Sequence, residues 1–178
     1  MNERIVFFRN QLKNGKKNAS ITPSSRFLAK KMIKNIDFST IDAVIELGAG
    51  TGIFTEYILK NIKKWTKVIC IEMEENYVKI LKEKFGDKII LHQEDVKNID
   101  QIRKKNNIKK FDLIISGLPF VPAQSIHKEI KQYTSEWTIF RSFTYQPNIF
   151  KKQYHDFPIY IIWFTLFNIP PARVFGVN

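Results

Sequence analysis

A chain of 178 residues with 44% apolar side chains suits one domain with a full core, and we read residues 1–178 as a single unit. Its longest apolar run, Ile159 to Phe167, is far short of the roughly 20 residues that cross a bilayer, which excludes a helical membrane-spanning protein. The formal charge of +12 calls for an anionic partner, and the single Cys70, with no signal peptide visible, excludes a disulfide-stapled secreted fold.

The positive charge is concentrated at the start, where residues 1–34 hold nine Lys and Arg against one acid, Glu3. On charge alone, nucleic-acid phosphate and lipid phosphate are equal candidates. Glu3 to Asn14 reads as a short helix with Ile5, Phe8 and Leu12 on one face and cations around the rest, ended by Gly15. Such a helix either rests on an anionic membrane surface or packs on the body of the domain. Ile21 to Ile36 forms a second helix, with Thr22 as N-cap, Pro23 at its first position and Phe27, Leu28, Met32 and Ile36 on its apolar face.

After residue 43 the pattern alternates regularly. Strands are predicted at 43–47, 67–72, 88–92 and 111–116, separated by helices near 52–63, 74–85 and 98–106, with a turn at Gly86-Asp87. A helix near 123–133 and a strand at 137–145 follow, and Ile159 to Val177 reads as a hairpin turning at Asn168-Ile169-Pro170-Pro171. This βαβ repetition predicts an α/β fold whose largely parallel sheet is covered on both faces, with ligands at the carboxyl ends of its strands.

The segment AVIELGAGTG, 43–52, marks the first of those ends. Glycines at 48, 50 and 52 allow a sharp strand-to-helix turn and close approach of a ligand to the backbone. A dinucleotide fingerprint would place its third glycine where Ile53 stands, so a pyrophosphate is disfavoured. Glu72 closes the next strand, where a carboxylate can accept both hydroxyls of a ribose. The pair suits S-adenosylmethionine (SAM).

With Glu46-x-Gly48-x-Gly50-x-Gly52 and Glu72 the chain resembles the class I SAM-dependent methyltransferases, with their Rossmann-like seven-stranded sheet, mostly parallel with an antiparallel last strand. Over nearly its whole length it is similar to the soluble bacterial phospholipid N-methyltransferases, through ITPSSRFLAKKM at 21–32, ELGAGTGIFT at 46–55, SGLP at 116–119, FTYQP at 143–147 and NIPPARVF at 168–175. The resemblance implies a basic N-terminal helical segment, 1–36, ahead of a SAM-binding core, 43–178. Glu46, Gly48, Ala49, Gly50 and Gly52 would cradle the methionine end of SAM. Glu72 with Met73 would take the ribose side, Asp95 and the Val96 amide the adenine, and Ser116 would border the cofactor. Ser116 and Tyr145 would hold the headgroup amine as catalytic groups. Ser24, Ser25, Gly117, Leu118, Pro119 and Phe120 would line the acceptor. The chain departs from the pattern at Val121-Pro122, on the lipid-facing edge of that loop.

The implied activity is methylation of phosphatidylethanolamine by an enzyme peripheral on the inner, cytoplasmic face of the membrane. The sulfonium supplies the leaving group, so no metal is needed, and His92, His127 and His155 show no ligand spacing. Two rival readings stand beside it. The rRNA adenine dimethyltransferases share the sheet and an S-x-x-F-L segment, here Ser24 to Leu28, but use an Asn-Leu-Pro-aromatic tetrad where this chain has Gly117-Leu118-Pro119-Phe120. In a non-catalytic SAM- or membrane-binding module the pocket would persist without the reaction.

Overall fold

The computed structural model describes residues 23–118, 130, 132–133, 138–144, 148, 151–152, 155, 159–165 and 172–177. The elements run α1 (Pro23–Met32), β1 (Ala43–Leu47), α2 (Ile53–Leu59), β2 (Lys67–Ile71), α3 (Glu75–Phe85), β3 (Ile90–His92), α4 (Ile99–Lys105), β4 (Leu113–Ser116), β5 (Ile139–Thr144), β6 (Ile159–Thr165) and β7 (Ala172–Val177). The strands form one seven-stranded sheet in the order β3-β2-β1-β4-β5-β7-β6. Neighbours are parallel except that β7 runs antiparallel to both β5 and β6.

The expected α/β alternation and closing hairpin are therefore present, with ends shifted by one to four residues. The largest differences are at the carboxyl ends of the helices expected at 21–36 and 52–63, which stop four residues early at Met32 and Leu59, while at 88–92 Gly86–Lys88 forms a 3-10 turn and the strand begins at Ile90. The helix expected at 123–133 falls almost wholly outside the described residues, as do Thr22 and the helix expected at 3–14. No helix among the described residues is long and apolar enough to cross a membrane.

All five residues of β1 are buried, as a central parallel strand covered on both faces requires. Its alternate side chains feed two apolar layers. Ala43, Ile45 and Leu47 meet Ile99 and Ile102 of α4 on one face, while Val44 shares the other with Leu28 and Met32 of α1, Ile58 of α2 and Leu81 of α3. Burying Leu28 and Met32 contributes about 1.5–3 kcal/mol each, enough to hold α1 on the sheet.

Register between β1 and β4 is pinned at both ends. At the amino end, Asp112 Oδ2 accepts from the Asp42 and Ala43 amides at 2.9 Å. At the carboxyl end, the Gly117 amide donates to Leu47 O at 2.8 Å. β1 and β4 are also where the strand order reverses, so a crevice opens beyond their carboxyl ends.

The β5-β7-β6 side holds a buried cation. Arg141 is 4% exposed, faces Gly176 across the ladder, and stacks over the Tyr160 ring while Nη1 donates to the Tyr160 hydroxyl. A Cβ on Gly176 would run into the Tyr160 ring and sit 2.7 Å from Nη1, so the bare glycine leaves room for the stacked pair there. Arg141 Nε finds no acceptor, and burial holds its pKa below the ordinary arginine value.

Candidate active site

The glycine loop is the turn between β1 and α2, and its three glycines meet different surroundings. All have positive φ, +71° at Gly48, +56° at Gly50 and +77° at Gly52. A Cβ on Gly48 would come within 2.8 Å of Leu118 Cδ2, and one on Gly52 would run into the Phe85 ring of α3. On Gly50 it would meet no atom of the described residues within 4 Å, so nothing among them covers this glycine. Gly52 thus lets α2 and α3 pack together, and Gly50 is the one whose bare side a ligand can approach. Lys84 of α3 also fastens the loop, its Nζ donating to Thr51 O at 2.8 Å.

Two substitutions separate these roles. In Gly50→Ala only the left-handed φ opposes the methyl group, costing about 1–2 kcal/mol, while the open side is filled. We expect donor binding to fall tenfold or more with a small drop in Tm. In Gly117→Ala the new Cβ would stand 2.6 Å from Gly48 O, a backbone atom that cannot swing away. Tm and donor binding should fall together there. Calorimetric titration alongside thermal melts checks both, and parallel losses in the two variants would contradict this division.

Two carboxylates flank the loop. Glu72, just past β2, accepts from the Gly50 amide through Oε2 at 2.8 Å and from the Glu74 amide through Oε1 at 2.9 Å. An ionised carboxylate has about four acceptor positions, so two remain for ligand hydroxyls. Glu46, inside β1, is wholly buried; Thr55 Oγ1 donates to its Oε2 at 2.6 Å, and Oε1 has no partner. Burial pushes the Glu46 carboxyl up to about 8, against the opposing hydrogen bonds from Thr55 and Cys70. Cys70 Sγ lies 3.8 Å away, and burial keeps that thiol protonated.

Of the remaining expected residues, Met73 and Asp95 follow the carboxyl ends of β2 and β3. Asp95 caps the turn Val96–Asn98, its Oδ1 accepting from the Lys97 amide at 2.9 Å, and the Val96 side chain is buried beneath. Met73 stands 63% exposed beside Glu72. Ser116 ends β4, buried, between Leu47 and Ser142 in the ladder. Ser24 and Ser25 lie in the first turn of α1, with their side chains outside the described part, and Pro119, Phe120 and Tyr145 lie outside it altogether. His92 and His155 are elsewhere engaged, with Asn106 Nδ2 at 3.0 Å and with Lys152 O at 3.1 Å.

The structure adds a cavity that sequence reasoning missed. It encloses about 220 Å³ between Leu28 of α1, Gly48, Ala49, Thr51, Ile53 and Phe54 of the loop and α2, Gly117, and Phe143 of β5. The Phe54 and Phe143 rings meet at 72° with centroids 5.9 Å apart. An apolar pattern marks such residues as core, and only the fold shows that they border a space.

The donor set fits an adenosyl sulfonium. Two spare acceptor positions at Glu72 can take ribose hydroxyls, the orphaned Glu46 oxygen can take an ammonium, and Gly50 leaves room for the chain between them.

The chain is similar to known methyltransferases in sequence and in fold. The FtsJ-like methyltransferase family matches residues 27–155. An ornithine lipid N-methyltransferase of Singulisphaera acidiphila is 28% identical over 184 residues, 98% of this chain and 95% of that one. A ribosomal RNA small subunit methyltransferase A of Mesomycoplasma hyopneumoniae is 33% identical over 95 residues, 53% of this chain; the chain spans about a third, 34%, of that protein. Among solved structures, a SAM-dependent methyltransferase from Aquifex aeolicus superposes with a TM-score of 0.66 at 14% identity, over 93% of this chain and 96% of that one. The plantazolicin methyltransferase BpumL, solved with the demethylated donor S-adenosylhomocysteine (SAH), gives 0.67 at 16% identity, over 96% and 89%.

Proposed function

The chain belongs to the FtsJ-like methyltransferase family as a SAM-dependent enzyme, and from that premise we propose that its methyl acceptor is the amine of a membrane lipid, phosphatidylethanolamine foremost. The observation that carries this reading is the reach of the lipid-acting relative along both chains, from end to near end. The rRNA-acting relatives are matched over about half of this chain. Gly117 also stands where an adenine site would want an Asn side chain to accept from the base amino group.

SAM supplies an electrophilic methyl on a sulfonium that leaves as a neutral thioether. The protein's part is binding, orientation and proton handling. Glu72, fixed by two backbone amides, takes the ribose, and Glu46 takes the ammonium of the methionine end. Asp95 and the Val96 amide take the adenine, and Met73 borders the ribose beside Glu72. Ser24 and Ser25 line the acceptor side with residues 117–120.

The acceptor must arrive as a free amine. With a pKa near that of lysine, about 10.4, only on the order of one headgroup in a thousand is neutral at pH 7, a cost of roughly 4 kcal/mol. Ser116 and Tyr145 hold the nitrogen, and its proton leaves through Tyr145 or water. The basic segment 1–36 rests on the anionic inner face of the membrane, each cation there contributing about 1 kcal/mol.

Radiolabelled SAM offered together with vesicles containing phosphatidylethanolamine, vesicles containing an ornithine lipid, and a naked rRNA fragment tests the assignment. Label is expected in lipid; label in RNA alone overturns it. Tyr145→Phe should slow turnover at least tenfold while leaving the dissociation constant for SAM within twofold, measured by single-turnover labelling and calorimetry. Equal losses in both would remove Tyr145 from the reaction.

A further inference from the structure

Glu46 stands in apolar surroundings with one short hydrogen bond. Its ladder neighbours, Cys70 on β2 and Ile115 on β4, belong to the apolar layer that α1, α2 and α3 cover. From α2 the wholly buried Thr55 donates to Oε2 at 2.6 Å. A threonine hydroxyl inside a helix commonly bonds back to the carbonyl four residues before it. For Thr55 that carbonyl is Thr51 O, which accepts instead from Lys84 Nζ at 2.8 Å. The Thr55 hydroxyl points across the layer, to the carboxyl.

This bond makes the two carboxyl oxygens unequal. Oε2 is occupied by the hydroxyl, with the Cys70 thiol 3.8 Å from the same atom, whereas Oε1 has no partner among the described residues. In the protonated carboxyl, Oε2 is the carbonyl that accepts from Thr55, so the acid proton sits on Oε1. A ligand ammonium and that proton then compete for a single atom. The titratable groups bearing on Glu46 are Cys70 and Glu72; Leu28 and Met32 of α1, Leu81 of α3 and Ile115 of β4 carry no charge.

Resting on the assignment of the donor's ammonium to Glu46, and independent of which acceptor is methylated, we propose that Thr55 is a positioning residue for donor binding: its hydroxyl ties down Oε2 and presents Oε1 to the ammonium. Binding converts the carboxylic acid into a carboxylate paired with the ammonium, and the displaced proton passes to water. The Thr55 bond opposes the burial that raises the Glu46 pKa. Without the hydroxyl the ionised form loses a hydrogen bond worth about tenfold or more in that equilibrium. The proton is then harder to displace and can sit on either oxygen.

The test titrates SAH and its deamino analogue, with hydrogen in place of the ammonium, into full-length wild type, Thr55→Val, Thr55→Ala and Thr55→Ser at pH 8. Val keeps the shape of the side chain and Ala removes it, so an effect they share belongs to the hydroxyl. Ser restores the hydroxyl on a smaller side chain. Wild type is expected to prefer SAH by about tenfold or more. That preference should fall about fivefold or more in Val and Ala and return in Ser, with affinity for the analogue within about twofold throughout. Heats in two buffers of different ionisation enthalpy count protons. The wild-type carboxyl titrates near 8, so about half a proton should leave per SAH bound, rising toward one in Val and Ala and not in Ser.

Unchanged preference and proton count in Val and Ala overturn the proposal. So does an equal loss of both ligands, which would make Thr55 a packing residue alone. Equal binding of the two ligands by wild type would instead remove the ammonium from Glu46, and the role of Thr55 with it.

Discussion

Glu46→Gln should make the unliganded protein more stable at pH 8 and a weaker binder of SAM. The wild-type carboxyl titrates near 8 in the folded chain against an ordinary 4.5. A raised folded pKa means that the native state holds its proton while the unfolded chain releases it. The carboxyl's contribution is therefore complete below about pH 4.5 and is lost as pH rises through about 8. Gln carries no proton to lose, so the variant should keep that stability, a difference on the order of 4 kcal/mol at pH 8 that vanishes near pH 4. Thermal melts between these limits read it directly.

Donor binding should move the opposite way. Oε1 has no hydrogen-bond partner among the described residues, and Glu72 nearby adds a like charge that also raises the pKa. An arriving ammonium favours the ionised form, so binding should expel a proton. Affinity should then climb by up to roughly tenfold per pH unit from about pH 6 to about 7.5 in wild type and stay flat in Glu46→Gln. Heats measured in two buffers of different ionisation enthalpy count the proton released. A zero count would leave Glu46 a structural carboxyl only.

Glu72→Ala should weaken SAM binding by about a hundredfold or more, since hydrogen bonds to a charged group are worth about 1.5–3 kcal/mol each and several are lost. Part of the effect arises before any ligand arrives, because Gly50 and Glu74 lose the acceptor of their amides. Glu72→Gln keeps one carbonyl acceptor and should fall between. Amide hydrogen exchange at Gly50 in the free protein separates the two contributions. Faster exchange in both variants identifies the carboxylate as a loop anchor; unchanged exchange would leave it a ligand group alone.

The crevice was readable because its marks are local. Glycines at alternate positions after a buried strand, and an acid closing the next strand, are set by backbone geometry within a few residues. The alternation of strands and helices was readable for the same reason, through periodicity. Contacts between distant segments were not. Nothing near Gly52 announces that its bare side meets Phe85, or that Gly50 is the one left open. Leu28 and Phe143 read as core positions of a helix and a strand, and they become walls of a cavity only when α1 and β5 meet above the loop. Arg141 carries no warning in RSF that it turns inward, because the space it occupies is made by a glycine 35 residues later.

Among the described strands β6 meets the sheet only through β7, which lies between it and β5. Opening of the β5–β7 seam therefore frees both strands at once, and the apolar or β-branched residues of β6, IYIIWFT, leave with β7. The ribbon so released is a sticky edge, open to chaperones and to other chains alike.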